Sequence, residues 1–250
     1  AREALLNFWR RISHAASQGP LQPTPLDRMM NNRSLEGSPI FMYLDMLTRL
    51  MSPYKFNPTN FNPLRKVLEA SVDFEAIHSG KCPIKVFLCA TNVRSGKIKV
   101  FRNEEISVDA VLASACLPFM FQAVEIDGEA YWDGGYMGNP PLYPLIYNTR
   151  SRDIVIVHIN PIVRPQLPKS AAEIQNRLNE ITFNSSLIRE FRAIAFVTKL
   201  IEQGWLKDEF RDQLKHVLIH SIRSDEAMCD LTVASKLNTD WNFLCDLRDR

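Results

Sequence analysis

The chain has 250 residues, 46% hydrophobic and 23% charged, with a net charge of +2. That length suffices for one large domain or two small ones with a buried core, and the composition is ordinary for a globular protein. So small a charge argues against a nucleic-acid partner and permits only weak attraction to an anionic surface, no stretch reaches the ~20 apolar residues of a membrane span, and no secretory leader pattern opens the chain.

In chain order, Ala1–Ile12 reads as a helix already in progress, with Leu5, Phe8, Trp9 and Ile12 on one stripe. It continues to about Ser17, and Gly19, Pro20, Pro23 and Pro25 break it. Residues 18–39 read as a polar loop. Ile40–Met51 is apolar on most sides. Asp45 and Arg49 suit one-sided burial, which favours a core or contact helix over a lipid-facing lid. Pro53, Pro58 and Pro63 divide the next stretch into short extended pieces, and Leu64–His78 reads as a helix through Leu64, Val67, Leu68 and Val72.

Strand candidates come next. Ile84–Asn92 is rich in β-formers, and Lys97–Phe101 alternates as a strand with one solvated face does. Arg94–Lys97, with Gly96, is a tight turn between them. Val108–Ala115 is a short helix stopped by Pro118. Ala123–Ile126 and Glu129–Trp132 flank Asp127-Gly128, a strong hairpin signal. Asp153–Asn160 reads as a strand buried on both faces, as in a parallel sheet. Ser170–Gln203 is a long helical stretch, with Phe183–Ser186 as a candidate break and Gly204 as its C-cap. Val217–Ile222 is a last strand. Asn238 or Thr239 caps a final helix carrying Trp241, Leu244, Cys245 and Leu247. A chain that starts and ends inside helices reads as a piece of something longer.

Apolar strands between helices argue an α/β layered fold with a mostly parallel sheet. Sites in such sheets gather at strand C-terminal ends, where the Trp132-Asp133-Gly134-Gly135 turn falls. The five cysteines (82, 89, 116, 229 and 245) form no Cys-x-x-Cys and no zinc spacing. They read as buried thiols in a reducing compartment, with no metal and no cofactor implied.

An Asp held by two following glycines could orient or deprotonate a hydroxyl. On those residues alone, a turn Asp capping its own backbone is the commoner arrangement. The wider segment reverses the odds. Ala113-Ser-Ala-Cys-Leu-Pro-Phe, Ile126-Asp-Gly and Tyr131-Trp-Asp-Gly-Gly-Tyr-Met-Gly-Asn-Pro-Pro, through Leu145, resemble the patatin-like phospholipase family. Ile84–Thr91 resembles, more weakly, that family's strand ending in Ala-Thr. The tail from Ala171 resembles the helical C-terminal extension of bacterial members.

The resemblance implies a layered α/β fold with a mostly parallel central sheet flanked by helices. Residues 1–165 would be the C-terminal part of the catalytic domain, and 166–250 a helical extension packed on it. It also implies a serine lipid acyl hydrolase of the phospholipase A or lysophospholipase kind. The partner is a phospholipid or other acyl ester, met in the cytoplasm with transient contact at membrane surfaces. The Ser-Asp dyad of the family assigns Asp133 as base, supported by Gly134, Gly135 and Asn139. None of the nine glycines begins Gly-x-Ser-x-Gly, and no Gly-Gly-Gly run exists. The nucleophile and the oxyanion loop are therefore expected upstream, and the 250 residues alone are expected to be inactive. The rival readings are a non-catalytic interaction module, and the same dyad acting on a polyester or neutral lipid. Ser38 and Ser114 lack an elbow and read as structural, and His158, on an apolar strand, reads as a satisfied core residue.

Overall fold

The computed structural model describes residues 1–17, 19, 21–24, 27, 35, 37–80, 82–207, 209, 214–229 and 231–249. Most of the loop expected over 18–39 lies outside them. Helix α1 spans Arg2–Ser17. Its apolar stripe is not buried in a core: Leu5 and Trp9 are exposed. Helix α2, Pro39–Leu50, starts with proline at its first position, where the missing N–H costs nothing. It buries no residue fully, and Met42, Tyr43, Met46 and Leu50 are exposed, so one-sided burial is only partial. The short α3 is Pro53–Phe56.

The helix expected over 64–78 is two. Helix α4 runs Leu64–Ser71 and α5 runs Phe74–His78. Val72 turns extended between them, and the Asp73 carboxylate accepts from the Ala76 amide at 2.9 Å. An N-cap side chain restarts the helix at lower cost than a β-branched residue continues it.

Strands β1 (Phe87–Asn92) and β2 (Ile98–Arg102) follow. After them come helix α6 (Val108–Ser114) and strands β3 (Val124–Ile126) and β4 (Glu129–Asp133). The four strands make one sheet in the order β2-β1-β4-β3. Every pairing in it is antiparallel, a departure from the mostly parallel sheet expected. The cause is local. Asp127 (φ 52°) and Gly128 (φ 77°) both lie in the left-handed region, which makes a two-residue reversal between β3 and β4. Gly96 (φ 65°) lies in the same region within the longer turn, residues 93–97, that joins β1 to β2. A parallel pair needs a long crossover instead. Helix α6 lies on this sheet. Ala90, Ala110 and Ala113 are each 0% exposed, and such small side chains let helix and sheet approach closely. Phe101 and Tyr131 meet edge to face at 5.6 Å in the same core.

Helix α7 (Tyr143–Asn148) leads to β5 (Asp153–His158), and α8 spans Ala171–Glu202. Strand β6 (Leu218–Arg223) pairs parallel with β5, as the apolar character of 153–160 suggested. The strand is not covered on both faces, however. Ile154, Ile156 and His158 are buried while Val155 and Val157 are exposed. A second core joins Ile154 and Ile156 to Leu142, Leu187 and Val217.

Helix α8 is unbroken through Phe183–Ser186. The polar residues there bond outward or back along the helix without displacing its ladder. Asn184 Nδ2 donates to the Pro161 carbonyl at 3.1 Å, and Ser186 Oγ accepts from the Asn139 backbone amide at 3.0 Å. A Ser170–Glu173 capping box starts the helix, and Gly204, at φ 64°, follows its end. Helices α9 (Asp225–Cys229) and α10 (Trp241–Asp249) finish the chain, with a 3₁₀ turn over Val233–Leu237 between them. Neither Asn238 nor Thr239 caps α10. Asp240 does, its Oδ1 accepting from the Asn242 amide at 3.0 Å and the Phe243 amide at 3.3 Å.

Candidate active site

Asp133 is the last residue of β4. Its amide donates to the Cys116 carbonyl at 2.9 Å. Its own carbonyl accepts from Thr91 Oγ1 at 2.8 Å. These bonds reach to either side of the strand, so the backbone under the carboxylate cannot swing. The side chain is oriented by the turn after it: Oδ1 accepts from the Gly135 amide at 2.7 Å. Among the described residues no other group donates to this carboxylate.

The two glycines owe their place to crowding. A Cβ at Gly134 would overlap the Cys89 carbonyl and thiol, and one at Gly135 would overlap the Phe183 ring of α8. Both residues are buried. Only a bare backbone passes between β1 and α8 there. Asn139, four residues beyond Gly135, is tied through its amide to Ser186 of the same helix. The segment carrying Asp133, Gly134, Gly135 and Asn139 is thus clamped between the sheet and α8.

Asp133 and Asn139 open onto a cavity of about 880 Å³, large for a small-molecule site. One wall is apolar, from Leu5 and Trp9 of α1 and Trp241, Leu244 and Leu247 of α10. The other carries Ile156–Asn160 of β5 and its end, Glu180 of α8, and Ser235 and Lys236. Neither Ser38 nor Ser114 lines it. Ser235 does, but its hydroxyl donates to the Thr232 carbonyl at 2.6 Å.

Burial pushes the Asp133 carboxyl above its ordinary value, against the Gly135 hydrogen bond and the Lys236 charge. Lys236 keeps contact with solvent, and desolvation by its neighbours lowers its ammonium, against the charges of Glu180 and Asp133. Burial raises the Glu180 carboxyl, but the hydrogen bonds and charges of Arg164 and Arg177 outweigh it and hold the group below the usual range. Burial pushes the Cys89 and Cys116 thiols up to about 11, so neither is a thiolate nucleophile at neutral pH.

His158 differs from its expectation. It is buried on the inner face of β5, yet its Nε2 has no hydrogen-bond partner among the described residues. Burial, then the Arg223 charge, lowers its pKa, which keeps it neutral. All five cysteines are free. Among the described residues, no group of three or more His, Cys, Asp or Glu is placed to hold a metal ion, and no helix is long and apolar enough to cross a membrane. Lys236, Trp9 and Trp241 were not legible as site residues, because no motif marks them and each stands far from Asp133 in the chain.

Comparison with known families matches residues 8–146 to one family, described as patatin-like phospholipase. No curated protein matches the chain. The matched stretch contains Asp133 and Asn139. Helix α8, β6, Lys236 and α10 lie outside it.

Proposed function

The chain belongs to the patatin-like phospholipase family, lipid acyl hydrolases, and on that premise we propose that Asp133 is the general base of a Ser-Asp dyad that cleaves acyl esters. The observation that carries this reading is the state of the Asp133 carboxylate. One oxygen is fixed by the Gly135 amide, and the group faces a cavity with an apolar wall. A carboxylate so restrained can take the proton of a serine hydroxyl as that oxygen attacks an ester carbonyl. The raised pKa strengthens it as a base without a histidine relay. The protonated Asp133 then gives that proton to the alcohol as it leaves, and the acyl group rests on the serine. The regenerated carboxylate takes a proton from water as it attacks the acyl-serine and returns it to the serine oxygen, releasing a carboxylic acid. The apolar wall suits the hydrocarbon chain of a lipid.

The serine is expected in a Gly-x-Ser-x-Gly segment, with backbone donors for the oxyanion from a glycine-rich loop. Neither pattern occurs in the 250 residues. In this reading residues 1–165 are the C-terminal part of the catalytic domain and 166–250 an extension packed on it. Its site of work is the cytoplasm and the membrane surface.

In a protein carrying such a segment ahead of this chain, a fluorophosphonate should label the serine. Asp133→Asn should cut ester turnover at least about 100-fold while the fold is kept. Undiminished turnover in that variant would remove Asp133 from the role. The 250 residues alone should hydrolyse nothing. Profiling phospholipid, monoacylglycerol and polyester separates the phospholipase reading from a polyester or neutral-lipid hydrolase. Failure to label any serine in the complete protein would favour a non-catalytic interaction module.

A further inference from the structure

We propose that Lys236, held against Asn160 in the wall of the Asp133 cavity, anchors the anionic head of a single-chain amphiphile whose tail lies along α1 and α10. This rests on reading the cavity as the acyl-ester site, and it names the ligand class that the site selects.

An ammonium has three N–H donors. Lys236 Nζ gives one to Asn160 Oδ1 at 2.7 Å, and that bond fixes where the charge stands. Among the described residues this ammonium makes no other hydrogen bond, so two donors remain for a ligand. Two other charged groups of the cavity are already paired. Glu180 is forked by Arg164 at 2.5 to 3.0 Å and paired with Arg177 at 3.1 Å. Arg248 is paired with Asp249 at 2.6 Å. Lys236 therefore offers a fixed positive charge with open donor positions in the cavity that also holds the base.

The surroundings match an amphiphile. Leu5, Trp9, Trp241 and Leu244 line the same cavity, so a bound molecule can bury a hydrocarbon chain while its charged end reaches the ammonium. Two head groups share the required chemistry, a carboxylate and a phosphate monoester. Either accepts two hydrogen bonds from one ammonium.

Binding is measured on the 250-residue chain, with no turnover involved, through the ligand-dependent change in tryptophan fluorescence; of the four tryptophans, Trp9 and Trp241 line the cavity. Laurate, dodecyl phosphate and neutral monolaurin are compared below their micellar concentrations. An anionic ligand should bind at least about tenfold more tightly than monolaurin. Lys236→Met should erase that preference and leave monolaurin binding unchanged, and Lys236→Arg should keep it. Tighter binding of dodecyl phosphate assigns the subsite to a phosphate head, and tighter binding of laurate assigns it to the carboxylate product. Equal affinity for charged and neutral ligands in the unmodified chain, or a preference that survives Lys236→Met, overturns the proposal. Loss of turnover in Asp133→Asn with binding unchanged would uphold the hydrolase reading independently, so the two can fail separately.

Discussion

Asp133 shows how a single residue can be costly to the fold and useful to the site. Its folded pKa is raised by burial, so the folded state holds that proton more strongly than the unfolded chain does. Stability from this group therefore falls as pH rises from the unfolded value of ~4 through the raised folded value. Asp133→Asn keeps an acceptor for the Gly135 amide and removes the buried charge. It should raise the melting temperature at pH 7, with the gain shrinking to nothing below about pH 4. A lower melting temperature at pH 7 would mean that the charge is better paired than the geometry shows. Gly134 makes the complementary point. Its added Cβ meets a backbone carbonyl, which cannot rotate away as a side chain can. Gly134→Ala should cost at least about 1–3 kcal/mol in urea denaturation, and unchanged stability would show that β1 yields there. The Asp-Gly-Gly pattern was legible from the sequence. The reason for both glycines, a passage between Cys89 and Phe183, was not, because the two neighbours come from distant parts of the chain.

At the scale of elements, the departures from sequence expectation share a cause. Periodicity reports which residues can face a core, and caps and distant partners decide where an element stops. Leu64–His78 carried one apolar stripe, yet the Asp73 side chain restarted the helix. Phe183–Ser186 had the residues of a break, yet distant acceptors and donors satisfied them and α8 ran on. Two substitutions separate these effects. Ser170→Ala removes the cap of α8 and should cost about 1 kcal/mol. Asn184→Ala removes a buried hydrogen bond to Pro161 and should cost more, about 1–3 kcal/mol. If Asn184→Ala costs no more than alanine at an exposed α8 position, that bond does not keep the helix continuous. Hairpins were the most legible elements, since Asp127-Gly128 fixes its own turn.

For the whole molecule, the segment beyond the matched region is tied to it by the Asn139 amide on Ser186 Oγ at 3.0 Å and the Lys215 ammonium on the Ile146 carbonyl at 2.8 Å, and is itself held together by strand pairing and by buried charge. β6 pairs with β5. Arg164, ahead of α8, forks onto Glu180 and also donates to the Cys229 carbonyl at 2.7 Å. The Glu180 pKa is depressed, so its contribution is fully present above the unfolded value of ~4.3 and is lost as pH falls through the folded value. Glu180→Ala should cost about 3–5 kcal/mol by removing the carboxylate that bridges two guanidinium groups in a partly buried site, and the loss should vanish in acid. A loss that persists unchanged at low pH would point to packing instead of charge. Composition, the hairpin turns, the long helix and the family resemblance around Asp133 were all fixed by local order in the sequence, because each depends on residues a few positions apart. The pairing of β1 with β4, the exposed face of β5 and the cavity that Lys236 and Trp241 share with Asp133 were decided only by the tertiary structure. These join residues distant in the chain, and chain packing, not local preference, selects such contacts.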